Sequence, residues 1–499
     1  MQPTKIQSNN HSLLPYDFVR VKSIIALEDN DGCKIFSQEK ISIEIYHELS
    51  RYLNRDFELE ICDSEQFNQL LTKVFSTENN SAEFSDELNE SFDLKTFANS
   101  IAPTEDLLSG SDDVPIIKLI NGIISQAIKQ RASDIHFEPY EDLFIIRYRI
   151  DGILKEVLSQ DSRIAPLVIS RIKIISRLDI SERRLPQDGR VSLSLGNKRV
   201  DVRVSTLPST YGERIVLRLL DKQSAQINIQ NLGLENDILK NYQATLKASE
   251  GIILVTGPTG SGKTTTLYAG LRYLSDASQN ILTVEDPIEY TLKGVGQTQV
   301  NPKTGYDFAM GLRSMLRQDP DVVMVGEIRD QETARIAIQA SLTGHLVLTT
   351  VHTNSAVGAI TRLRDMGIEP FLLSSSLKTI ISQRLARRLC RHCKQENQLT
   401  RSMAELFGIK AGTTVFDPKG CDHCDGTGYV GRIAVAESIQ IDTELKNMMH
   451  EAASEQEIAK YAFQHNLSID ETGRDLIIAG ITSAEELIRI NNQKDDASL

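Results

Sequence analysis

Gly251-Ile252-Ile253-Leu254-Val255-Thr256-Gly257-Pro258-Thr259-Gly260-Ser261-Gly262-Lys263-Thr264-Thr265-Thr266-Leu267 is an apolar run that stops at a glycine-rich turn carrying one lysine. Ile252 to Val255 have the length and branching of a buried parallel strand. Thr264 onward, with Leu267, Leu271 and Leu274, suits a helix. Between them the spacing Gly257-x4-Gly262-Lys263-Thr264 is that of a phosphate cradle. The glycines let backbone N–H groups turn inward on an anion, Lys263 reaches the β/γ-phosphates, and the Thr264 hydroxyl can ligate Mg²⁺. The helix N-terminus adds partial positive charge. Gly257, Pro258, Thr259, Gly260, Ser261, Gly262, Lys263, Thr264 and Thr265 are therefore the expected nucleotide-binding set, with Thr264 on magnesium. The competing reading is a chance turn, which the placement after a strand and before a helix disfavours.

Downstream of this stretch, Ile281–Val284, Val322–Val325 and Leu346–Val351 are short, β-branched and continuously apolar, as parallel strands buried on both faces are. Helices such as Gln331–Leu342 then serve as crossovers. Ligands bind at the carboxyl ends of such strands, and these three deliver Glu285-Asp286, Glu327 and His352 there. Glu327 is expected to hold the Mg²⁺ shell or orient an attacking water, against a plain helix-capping role. Glu285 is the second candidate for that work. His352 has two readings, a γ-phosphate sensor or a structural histidine.

Cys390-x2-Cys393, 27 residues, then Cys421-x2-Cys424 supplies four thiolates in two knuckles, the set tetrahedral Zn²⁺ requires. Disulfides, free thiols or a redox dithiol are the other uses of such cysteines, and a reducing compartment favours metal. Gly420, Gly426 and Gly428 permit tight turns around the second knuckle.

Upstream, Asp112-Asp113-Val114-Pro115 opens a helix whose apolar stripe runs from Ile116 to Ile128. Strand-like runs follow at Leu143–Ile150, Val191–Leu195, Val200–Ser205 and Arg214–Leu220, with a helix over Ile164–Leu178. Arginines crowd these strands. Arg203 alternates with Val202 and Val204, so it points to the opposite face. Either that face is simply solvated, or arginines such as Arg203 and Arg218 reach a nucleotide.

Residues 1–77 read as a small α+β module whose lone Cys33, Cys62 and His47 are packing or surface residues, and an adaptor or docking role is the natural guess. A flexible acidic linker is expected at 78–112, where Asp and Glu dominate and Lys95 is the single base. The remaining boundaries are 113–222 for the arginine-rich α/β domain, 223–236 for a second linker, and 237–499 for the nucleotide domain with a zinc-binding insert at 387–430. A net charge of −13 disfavours nonspecific nucleic-acid binding. No apolar stretch reaches the roughly 18 residues of a membrane span. The first twenty residues lack a basic n-region and apolar core, so a cytosolic location is expected.

Gly257–Thr265, Thr283-Val284-Glu285-Asp286-Pro287-Ile288-Glu289-Tyr290, Leu316–Asp321 with Gly326-Glu327-Ile328-Arg329-Asp330, and Gly344–Thr353 together resemble the Walker A, aspartate, Walker B and histidine boxes of the secretion traffic ATPases, in that family's order. Ser133-Asp134-Ile135-His136 and Pro186–Arg190 also match, so the resemblance spans about 112 to 490. It implies an α/β fold: a RecA-like P-loop ATPase domain, a preceding PAS-like α/β domain, a small N-terminal α+β docking domain and the tetracysteine zinc insert. It further implies a homo-hexamer using ATP, Mg²⁺ and Zn²⁺, with nucleotide between the two domains. Roles carry over to Arg203 and Arg218, and to Arg313, Arg317, Arg329, Arg362 and Arg432. Met310 departs from the basic residue common before Gly311. The expectation is a cytoplasmic motor, peripheral to the inner membrane, that drives pseudopilus assembly and protein export in type II secretion. It would dock through its N-terminal domain on an inner-membrane secretion subunit and act with a polytopic platform protein. A type IV pilus-extension motor, a DNA-uptake or conjugation motor and a non-hydrolysing nucleotide-gated scaffold are the alternatives.

Overall fold

A computed structural model describes residues 12–14, 18–19, 22–29, 32–63, 66–67, 70, 74, 94–99, 113–195, 198–220, 228–275 and 278–492. The chain forms two compact units, Met1–Asp221 and Lys222–Leu499.

The second unit is built on a seven-stranded sheet in the order Gly296–Gln299, Ile281–Glu285, Val322–Val325, Leu346–Val351, Gly251–Thr256, Leu377–Leu389, Tyr429–Gln440. The first six run parallel, and Tyr429–Gln440 pairs antiparallel on the edge. Gly251–Thr256, Val322–Val325 and Leu346–Val351 are buried at every position. They read as unbroken apolar runs because both faces are covered. Ile252 and Leu254 enter one core with Leu312, Val323 and Val347, whereas Ile253 and Val255 enter the other with Leu267, Leu271, Met324 and Leu348. Gly251–Thr256 is thus the axis between two apolar layers.

Leu377–Leu389 and Tyr429–Gln440 are long partners, in register from Thr379 against Gln440 to Arg387 against Arg432, with a shift before Leu389 meets Tyr429, and the cysteine segment loops out between them. Neither strand is evident from periodicity, since Gln383, Arg384, Glu437 and Ser438 interrupt the apolar pattern yet are buried. The Glu437 carboxylate accepts the Ala356 N–H at 2.7 Å and the Ile469 N–H at 3.4 Å, so it sits at the starts of the helices Ala356–Asp365 and Ile469–Ile478.

In the first unit a six-stranded antiparallel sheet has the order Ile153–Asp161, Leu143–Ile150, Ala132–Pro139, Gly212–Leu220, Lys198–Ser209, Gln187–Leu195. The helices Asp113–Lys129 and Ala165–Ile175 cover one face through Ile116, Ile120, Ile123, Val168 and Ile172 against Ile135, Phe137, Val202 and Val204. Ala132–Pro139 and Ile153–Asp161 are not evident as apolar runs because Asp134, His136 and Glu138 interrupt the first and Lys155-Glu156 the second. Ahead of this sheet lie three strands, Ile24–Asp29, Gly32–Ser37 and Phe57–Ile61, and the helix Ile43–Leu53. Their core, with Ile25, Ile35 and Leu49, also takes in Ile174 and Ile180. Apart from the helix Leu94–Asn99, the acidic linker expected at 78–112 lies outside the described residues, as does 223–227 of the second linker.

Lys173 and Glu213, 1% and 6% exposed, form a buried ion pair at 2.8 Å, and the Lys173 ammonium also donates to Glu182 O at 2.7 Å. Lys173→Ala strands a buried carboxylate and is expected to cost about 3–5 kcal/mol in urea unfolding of the chain. The apolar pair Lys173→Met with Glu213→Leu is expected to recover most of that loss. A single-mutant midpoint equal to wild type would count against the pair.

Candidate functional site

The turn after Gly251–Thr256 needs backbone angles that side chains disfavour: φ is +141° at Gly257, +80° at Gly260 and +88° at Gly262. A Cβ on residue 257 would overlap the backbone carbonyl of Gln383 and crowd Ser261 Oγ. Gly262, in the left-handed region, is the N-cap of the helix Lys263–Leu274, so the lysine opens that helix. The first N–H groups there have no intrahelical partner and suit an anion.

Lys263 is buried, and its ammonium donates to Gly257 O at 2.8 Å and Pro258 O at 3.1 Å. Burial lowers it to about 8, with the Glu327 carboxylate pulling the other way. Two of its three donors are taken by the loop, and the buried Ser261 hydroxyl has no partner. Thr259, Gly260 and Thr264 are exposed. Inward-capable N–H groups, a cation and an orphan hydroxyl in one turn are the donor set a polyphosphate satisfies.

Glu327 stands just beyond the Val322–Val325 strand. One carboxylate oxygen pairs with Arg329, and the other lies 3.3 Å from His352 Nε2. Burial and the nearby Lys263 charge push His352 below its ordinary value, although Glu327 opposes them, so the imidazole is neutral at neutral pH. Lys263, Glu327 and His352 thus follow three adjacent parallel strands, with the Glu327 charge acting on Lys263 and both charges acting on His352.

Glu285 ends the next strand and is 2% exposed. Its carboxylate accepts from Thr283 Oγ1 at 2.6 Å, from Gln297 Nε2 at 3.0 Å and from the Tyr268 hydroxyl. Burial pushes its carboxyl up, and these donors pull it back. In the first unit Arg203 and Arg218 are register partners on neighbouring strands. Arg218 Nε donates to Asp134 Oδ1 at 2.9 Å, and Arg203 lies 4.0 Å from Asp188 Oδ1.

The four cysteines converge. Their Sγ atoms all lie within 4.8 Å of one another, at 3.9 Å for Cys390 and Cys421, 3.8 Å for Cys393 and Cys424, and 3.8 Å for Cys421 and Cys424. A disulfide requires about 2.05 Å. Four sulfurs about 2.3 Å from one zinc stand roughly 3.8 Å apart, which these spacings match. The N–H groups of Cys421 and Gly428 donate to Cys424 Sγ, each at 3.2 Å. Burial raises that thiol, but these donors and the neighbouring thiols bring it down to about 7. Gly420, Gly426 and Gly428, with φ of +100°, +75° and +76°, make the turn. The donor set fits Zn²⁺.

Several residues of the site carry no sequence motif. Gln383, 1% exposed on the Leu377–Leu389 strand, donates to Ser261 O at 2.7 Å and accepts from Thr266 Oγ1 at 2.8 Å. Thr256 Oγ1 lies 2.7 Å from Thr353 Oγ1 and accepts the Thr353 N–H, tying the end of the central strand to the residue after His352. Tyr268 and Gln297 organise Glu285. A lone polar residue in an apolar strand is the only sequence signal for such groups, and by itself it names no partner.

The family pattern described as "Type II/IV secretion system protein" matches residues 109–489, and a second pattern, for a domain of "GSPII protein E", matches residues 13–75. Type II secretion system protein E of Klebsiella pneumoniae is 48% identical over 484 residues, covering 96% of this chain and 97% of its own. Type II secretion system ATPase E of Vibrio cholerae is 47% identical over 486 residues, covering 96% and 97%. Among solved structures, the pilus retraction motor PilT with bound ADP is similar at TM-score 0.52 and 28% identity, covering 76% of this chain and 98% of that one. The Legionella pneumophila ATPase DotB shares the fold at TM-score 0.57 and 22% identity, covering 75% and 96%.

An anion selects the protonated lysine, so affinity for a polyphosphate is expected to fall as pH rises through about 8. The limiting slope is about tenfold per pH unit, and Lys263→Met is expected to remove it in a titration series. Chelation is expected to release one Zn²⁺ per chain and to lower the thermal midpoint by at least about 5 °C. Metal analysis of Cys421→Ser with Cys424→Ser is expected to find none.

Proposed function

Because the chain belongs to the type II/IV secretion system protein family, among its type II secretion ATPases, we propose that it is a Mg²⁺-dependent ATP hydrolase whose domain motion drives pseudopilus assembly and protein export. One observation carries this reading: Lys263, Glu327 and His352 meet where three adjacent parallel strands end. Lys263 and the N–H groups of the Gly257–Thr265 turn hold the β- and γ-phosphates, and Thr264 offers its exposed hydroxyl to the magnesium that accompanies the nucleotide. Glu327 orients the attacking water. Neutral His352, paired with Glu327, reports the γ-phosphate. Glu285 assists from within its Tyr268, Thr283 and Gln297 cluster. Arg203 and Arg218 are assigned the neutralisation of charge developing on the transferred phosphoryl group. Cys390, Cys393, Cys421 and Cys424 hold a structural zinc with no open position for chemistry.

The same reading makes residues 237–499 a RecA-like domain and 113–222 a PAS-like one, working as a homo-hexamer. The match of residues 13–75 to a domain of GSPII protein E supports docking of that module on an inner-membrane secretion subunit, and favours the secretion branch over pilus extension. No described helix is long and apolar enough to cross a membrane. A cytoplasmic location, peripheral to the inner membrane through partners, agrees with this.

Lys263→Ala is expected to abolish nucleotide binding. Glu327→Gln is expected to retain binding while phosphate release falls at least about 100-fold. A Glu327→Gln chain that turns over like wild type sinks the assignment of the water-orienting carboxylate. A wild-type oligomer that binds ATP but releases no phosphate identifies a nucleotide-gated scaffold instead.

A further inference from the structure

We propose that Gln383 is a positioning residue for the nucleotide turn, holding its two shoulders at a fixed separation. The inference rests on the reading of that turn as an ATP site and adds a residue to it. The Gln383 side chain is buried, and it spans the turn. Its amide nitrogen donates to Ser261 O at 2.7 Å, on the loop side, and its amide oxygen accepts from Thr266 Oγ1 at 2.8 Å, within the helix that follows. Its backbone carbonyl lies where a Cβ on residue 257 would stand, and its Nε2 would be 3.1 Å from a Cβ on residue 262. One residue therefore touches the first glycine, the last glycine, and both sides of the lysine.

The strand that carries Gln383 is itself anchored. Arg384, the next residue, donates to Ile490 O and Asn491 Oδ1, both at 3.0 Å, and to Asn354 O at 3.3 Å. Arg387 reaches the buried Glu486 at 2.7 Å. Main-chain pairing of Thr256 with Ser382 puts this strand directly beside the central one. A side chain fixed at its own backbone, and satisfied at both ends of its amide, can impose geometry on a glycine turn that has little stiffness of its own. The turn's N–H groups bind phosphate only if they converge before the ligand arrives. An amide is required: glutamate matches the size and can still accept from Thr266, but when ionised it sets an oxygen against Ser261 O.

The test is titration of a fluorescent ADP analogue into the full-length chain with Mg²⁺ at pH 8 and pH 6, alongside thermal unfolding. Gln383→Glu is expected to bind at least about tenfold more weakly than wild type at pH 8. At pH 6 the gap is expected to narrow at least about threefold, because burial keeps the new carboxyl protonated and able to donate. Thr266→Val, close to isosteric, removes one of the two bonds and is expected to weaken binding about threefold to tenfold at both pH values. Steady-state KM for ATP is expected to rise more than kcat falls. If Gln383→Glu does not fold, Thr266→Val decides alone. Variants within about twofold of wild type, or a Gln383→Glu defect that ignores pH, overturn the inference. A wild-type chain that does not bind the probe, or Lys263→Ala binding as tightly as wild type, overturns the ATP-site reading and the inference with it.

Discussion

Two backbones approach each other more closely at Gly257 than any side chain would allow, and the rest of the site depends on that approach. The Gln383 carbonyl occupies the space a Cβ would need. This brings the Leu377–Leu389 strand against the mouth of the turn, lets its amide span the loop, and leaves the Lys263 ammonium folded back on Gly257 and Pro258. The approach is possible because Gly251–Thr256 is walled by parallel strands on both sides and by apolar layers on both faces. A strand so enclosed cannot shift to relieve a clash, so the residue that follows it must be glycine.

Charge is handled differently along the sheet. Lys263 and Glu285 are both buried, but Glu285 is satisfied by three protein donors, whereas Lys263 has only carbonyls and keeps a donor in reserve. Burial pushes both toward their neutral forms. Only the lysine stands in a turn whose other groups favour an anion. Glu327 and His352 are more exposed and pair with each other across adjacent strand ends. The inner groups supply a fixed framework, and the outer pair is accessible to a ligand.

The tetracysteine excursion follows from the same sheet. It interrupts the Leu377–Leu389 and Tyr429–Gln440 pair, so Cys390 comes directly after one strand and Cys424 shortly before the other. The excursion contributes only Leu399, Ala404 and Val415 to a small buried apolar cluster that it shares with Val435, Ile469 and Leu487. A metal held by the four clustered sulfurs would cross-link so small a core. Lys394 adds a further tie, donating to Gly480 O at 2.8 Å while lying over the Phe416 ring.

The strand Ile252–Val255, the glycine turn, the helix after it, the parallel strands with Glu285, Glu327 and His352 at their ends, and the paired cysteines were all legible in the amino-acid order. Each is a local matter: a run buried on both faces is apolar throughout, a turn with positive φ demands glycine, and two ligands on one knuckle sit three residues apart. The Leu377–Leu389 and Tyr429–Gln440 strands, the clamp by Gln383, the capping of two helices by Glu437 and the hydrogen bonding of Glu285 were not legible. In each of these a polar group is buried and satisfied by a partner from another element, 122 residues away for Gln383 and Ser261. Periodicity treats such a residue as a break in the pattern. Only the folded chain decides whether a buried donor or acceptor finds its complement, because that complement comes from a different part of the sequence.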